Sequence, residues 1–103
     1  MISPLITHWP APVLPTESTL RQFCADEGLN PYPWSNRPHD VYPAHMHSYA
    51  KIIYVVHGSI TFGLPDLGQN ITLKAGDRLD LPANTLHDAV VGPQGVVCLE
   101  AHI

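Results

Sequence analysis

The chain has 103 residues, of which 45% are hydrophobic and 14% charged, and a formal net charge of −4 with histidines neutral. That length bounds it to one domain, residues 1–103, with a single core, and the apolar content excludes a disordered chain. Only five residues are Lys or Arg, which excludes the basic footprint of a nucleic-acid partner. No apolar run approaches the ~20 residues of a membrane-spanning helix, so no membrane partner is expected.

The N-terminal stretch has no basic segment leading into an apolar one, so it does not read as an export signal and the cytoplasm is the expected address. Eight of the eleven prolines lie within residues 1–43. Pro4, Pro10, Pro12 and Pro15 predict an extended arm without regular structure. Its Leu5, Ile6, Trp9, Val13 and Leu14 are too apolar for solvent and are expected against the body of the domain or a second subunit. One helix is predicted, from Thr16 to Glu27, with Thr16 as N-cap, Glu17 in the first turn and Gly28 closing the end. Residues 29–43 return to an extended, proline-broken path.

Beyond the helix the pattern is short strands separated by turn residues, at about 41–47, 49–56, 59–64, 69–73, 77–81, 86–91 and 95–102. His57 with Gly58, and Gly92 to Gly95, read as turns between strands. The strand from 49 to 56 is apolar on both faces, through Ile53 and Val55 on one side and Ile52, Tyr54 and Val56 on the other. Such a strand is covered from outside, by the helix, the arm or a partner barrel, and a homodimer is the expected assembly. Cys24 and Cys98 have no metal-ligand spacing and read as reduced, buried thiols.

Three histidines carry the chemistry. His45 and His47 differ by two, which on a strand sends both side chains to one face, and His87 follows in its own glycine- and proline-marked frame. Three neutral imidazoles on one face make a site for a divalent transition metal such as Fe, Zn, Mn or Ni. The alternative is a polar cavity without metal. Tyr49 and Lys51 share the same parity and are ligand-pocket candidates. His8, His39 and His57 read as surface residues, and Asp77 and Asp80 as a solvated outer face.

These frames resemble the two motifs of the cupin superfamily, small jelly-roll barrels. In the first, His45, His47 and Gly58 match while Lys51 stands where an acid is expected. In the second, Gly76, Pro82 and His87 match, and Asn84 replaces a glycine that Asn can imitate in the left-handed region. The family's asparagine four residues later is Val91 here. The resemblance implies a mostly β, double-stranded β-helix barrel over 41–103, with residues 1–40 forming the arm and short helix. It also implies metal-dependent dioxygenase or isomerase chemistry on a small molecule, and three-histidine sites without the acid occur among cupin dioxygenases.

Lys51 opposes that reading. An ammonium about 5 Å from a dication is repelled by roughly 6–7 kcal/mol at an effective dielectric near 20. Four resolutions stand open: a neutral amine, a side chain bent to the mouth, a neutralising carboxylate, or no metal. Glu100 is the candidate carboxylate, but the parity of the last strand leaves Glu100 and His102 free to face either the cavity or water. The reading is therefore a small-molecule protein with a three-histidine metal site; the alternative is a non-enzymatic, metal-free or weakly metal-binding sensing module. No catalytic residue is assigned.

Overall fold

A computed structural model describes residues 3–103. The chain runs β1 (Leu5–Thr7), α1 (Glu17–Asp26), β2 (Tyr32–Asn36), β3 (Val41–His45), β4 (Lys51–Leu64), a 3₁₀ turn (Pro65–Leu67), β5 (Gln69–Lys74), β6 (Arg78–Leu81) and β7 (His87–His102). Every strand pairing is antiparallel. The order is β1-β6-β4-β7-β2, with β3 also on β7 and β5 also on β4.

The frame is two long strands, β4 and β7, paired with each other from Lys51↔His102 to Gly63↔Asp88. Each changes partner along its length: β4 pairs first with β6 and then with β5, and β7 first with β3 and then with β2. The expected turns at 57–58 and 92–95 are therefore corrected: the chain does not reverse there. The β4–β7 register slips between Val55 and His57 and again between Gly58 and Ile60, so these residues are bulges that bend a continuous strand. Gly58 has φ +79°, and a Cβ there would lie 2.0 Å from the Gly95 carbonyl oxygen. Only glycine permits the bent strands to approach so closely.

Two further elements depart from expectation. Leu5–Thr7 of the arm forms β1 on the edge of β6, so the arm is not wholly irregular. Tyr32–Asn36 forms β2 on β7, and Pro33 is tolerated because this is an edge strand. Of the apolar arm residues, Ile6 packs on the core, whereas Leu5, Val13 and Leu14 remain exposed.

The helix follows its sequence signals. The Thr16 side chain accepts from the Thr19 N–H at 3.1 Å, which satisfies one orphan donor of the first turn. At the other end Gly28 N–H donates to Ala25 and Leu29 N–H to Cys24, the paired bonds of a Schellman stop. Leu20 and Cys24 of this helix pack on Ile52, Tyr54 and Leu99. The outer face of β4 is therefore covered by the chain's own helix, and that apolar face needs no partner subunit. Inside the barrel, Ile53, Val55, Phe62, Leu79, Val91 and Cys98 belong to the main core. The two cysteines are free and buried in separate clusters.

Candidate metal centre and ligand cavity

His45 closes β3 and His87 opens β7, and the two are cross-strand partners. His47 is not on the strand: β3 ends at His45, and the expected run to 47 is corrected. The loop carries His47 to the same place, held there because its backbone carbonyl accepts from Asn84 N–H at 2.7 Å. Asn84 has φ +60°, the left-handed conformation predicted for it, so the turn of the second motif braces a histidine of the first. Ring centroids are 4.3 Å apart for His45 and His87, 4.8 Å for His45 and His47, and 5.5 Å for His47 and His87.

The available nitrogens of the three rings all lie within 4.8 Å of one another. Metal–nitrogen bonds of about 2.0–2.1 Å set tetrahedral donors ~3.4 Å apart, which lies inside this spread. Nδ1 of His45 lies 2.7 Å from the Pro43 carbonyl and Nδ1 of His87 2.8 Å from that of Thr85. A carbonyl only accepts, so Nδ1 carries the proton in both rings and Nε2 keeps its lone pair. Nε2 of His87 is buried and has no hydrogen-bond partner among the described residues. An orphaned buried acceptor costs about 1–3 kcal/mol, and a bound metal ion would satisfy it.

Protonation is also opposed. Burial above all, then the neighbouring His45, Lys51 and His47, hold the His87 imidazole below its ordinary value against the raising effect of the hydrogen bond it donates to the Thr85 carbonyl. Burial, then Lys51 and His45, do the same for His47. Both rings are thus neutral near neutral pH, the form that can ligate a metal.

Lys51 is buried with Glu100 beside it, Nζ to Oε1 3.5 Å, with side chains 9% and 7% exposed. The face of β7 left open by the sequence therefore turns inward, and the fold supplies the neutralising carboxylate. Glu100 accepts from four donors: Tyr32 hydroxyl at 2.5 Å and His102 Nε2 at 2.9 Å on Oε2, Trp34 Nε1 at 3.2 Å and Lys51 on Oε1. Burial alone raises its pKa. The hydrogen bond from Tyr32, the charge of Lys51 and the contact with His102 outweigh burial and hold it below the usual carboxylate value. Burial and the bond to Glu100 push the Tyr32 phenol upward, so it stays a donor.

Tyr49 sits in the loop with its ring between His47 at 5.0 Å and His102 at 4.1 Å. All six predicted residues, His45, His47, Tyr49, Lys51, His87 and Glu100, line one cavity of about 350 Å³, closed by Ile53, Ile60, Phe62, Ala89 and three aromatics, Tyr32, Trp34 and Tyr42. Tyr32 and Trp34 escaped sequence reasoning. Their signal was period-two spacing of two aromatics, hidden by Pro33 between them. Outside the cavity, His8 and His57 are exposed as expected. Asp77 is not: it is buried and accepts from the Trp9 and Lys74 N–H groups, both at 2.9 Å, fastening the arm to the β5–β6 turn.

No protein-family model matches the chain, and no curated protein matches it by sequence. Solved structures do. An RmlC-like cupin from Shewanella frigidimarina aligns at TM-score 0.62 and 24% identity over 72% of this chain and 64% of its own. The polyketide cyclase RemF from Streptomyces resistomycificus aligns at 0.63 and 28% over 72% of this chain and 54% of its own. The match thus spans less than two thirds of either relative. A DUF861-family protein from Thermotoga maritima aligns at 0.63 and 14% identity over 98% of this chain and 100% of its own. The architecture is a double-stranded β-helix barrel with a cavity lined by the three histidines, Lys51 and Glu100. Its fold is that of the cupin superfamily.

Proposed function

We propose that this chain binds one divalent first-row transition metal ion, of the Fe, Zn, Mn or Ni kind, on His45, His47 and His87 and converts a small molecule held in the adjoining cavity. The orphaned Nε2 of buried His87 carries this reading: the Thr85 carbonyl holds the proton on Nδ1, two more imidazoles lie beside the ring, and no donor among the described residues meets it. A bound ion supplies Lewis acidity toward an oxygen donor of the substrate.

The chain's own residues favour proton-transfer chemistry, an isomerisation or cyclisation. Glu100 Oε2 is hydrogen-bonded to His102 Nε2, and the His102 side chain is 41% exposed. Protons can thus pass between cavity and solvent without opening the barrel. Tyr49 and Trp34 line the cavity together with the apolar Ile53, Ile60 and Phe62. The similarity to a polyketide cyclase agrees with this class of reaction. Lys51 at the acid position favours a second reading, a metal-free ligand-sensing module.

Elemental analysis of tag-free protein, reconstituted with each metal, tests the choice. About one ion per chain, lost in His45→Ala and in His87→Ala, is expected for a three-ligand site. Metal far below stoichiometry after reconstitution overturns the metal reading and leaves the sensing module.

A further inference from the structure

Lys51 carries a second role. Its Nζ has three N–H donors, yet among the described residues it meets one acceptor, Glu100 Oε1, at 3.5 Å. That contact neutralises charge but is too long for a tight hydrogen bond. Glu100 has little more to offer, because Tyr32, Trp34 and His102 already engage both its oxygens. The nearby imidazoles offer no alternative where their lone pairs hold a metal. A side chain 91% buried by its 9% exposure thus lines the cavity with donors to spare.

Cavity chemistry then identifies the acceptor. With the ion bound, the lining carries formal charges of +2 from metal, +1 from Lys51 and −1 from Glu100, a net +2 that favours an anion. The rest of the lining includes Ile53, Ile60, Phe62 and Ala89, which suit an apolar body. The volume of about 350 Å³ accommodates about a dozen water-sized groups.

We propose that Lys51 is the recognition residue for a carboxylate, and that the substrate class is a small monocarboxylate with an apolar or aromatic body. This rests on the cavity being the substrate site as proposed above. The replacement of the acid by lysine then serves specificity: Glu100 supplies the countercharge from β7, and β4 presents a cation to the ligand.

Calorimetric titration of zinc-loaded and metal-free protein with benzoate, phenylacetate and butyrate, each against its isosteric amide, tests this. The parent is expected to prefer at least one carboxylate over its amide by roughly tenfold or more, in both metal states. Lys51→Gln, which keeps a donor toward Glu100 but removes the charge, is expected to abolish the preference. Equal binding of every acid and amide, or no binding of any acid, overturns the proposal even if Lys51→Gln fails to fold. So does a preference that survives in Lys51→Gln in either metal state, since a group other than Lys51 is then the anion's receptor. Zinc stoichiometry measured on the same samples reports the metal reading separately.

Discussion

The Glu100→Gln substitution tests how the barrel tolerates a lysine at its centre. Lys51 and Glu100 are 8% and 6% exposed, and their charged atoms are 3.5 Å apart. At an effective dielectric of about 20, that separation is worth about 5 kcal/mol of attraction. Gln keeps the shape but deletes the charge, and its amide nitrogen cannot accept, so one donor pair, Tyr32 with His102 or Trp34 with Lys51, loses its acceptor. Breaking a buried pair from one side costs about 3–5 kcal/mol, a large share of the roughly 5–15 kcal/mol that holds a domain. Urea unfolding of the metal-free protein at pH 7 is expected to show this loss. Lys51→Met combined with Glu100→Gln is expected to lose less than the sum of the singles by about 2 kcal/mol. The pH dependence carries a matching sign. Because the folded carboxyl is held below its ordinary value, its contribution is present above about pH 4.3 and fades as pH falls below that; Glu100→Gln removes that part of the acid loss. A Glu100→Gln protein within about 0.5 kcal/mol of the parent, or strictly additive singles, would refute the neutralising role.

His87 titrates in a different window. Its folded imidazole is held below the ordinary value, so the unfolded chain takes up a proton first, and stability of the metal-free protein is expected to fall as pH drops below about 6.5. Urea midpoints compared at pH 7.5 and 5.5 check this, and a His87→Phe protein with the same decline would remove His87 as its cause. Gly58→Ala is expected to destabilise by more than the 1–3 kcal/mol of order that a positive φ costs a non-glycine residue, because its Cβ meets the Gly95 carbonyl oxygen at 2.0 Å. Thermal melting reads the loss, and an unchanged midpoint would show that the β4–β7 crossing is looser than described.

Local chemistry made much of this protein legible from the sequence. Thr16 and Gly28 bound the helix because capping is decided within a turn of chain. Asn84 adopts its left-handed conformation because side-chain type governs that preference. Lys51 and Ile53 share the cavity-facing side of β4 because parity along a strand is a local property, but residues 46–50 are loop, so the parity drawn from His45 to Lys51 does not hold. His47 reached the site by another route, since β3 ends before it and a hydrogen bond from Asn84, 37 positions later, sets its place. What required the tertiary structure was every choice between two equivalent local answers. A glycine that signals a turn also permits a bulge, and only the pairing of β4 with β7 across Gly58 and Gly95 selects the bulge. The last strand presents two faces, and α1 burying Leu99 on one side turns Glu100 inward on the other. That rotation places a carboxylate against Lys51 across 49 residues of chain, so the charge balance of the site is a product of packing and not of spacing.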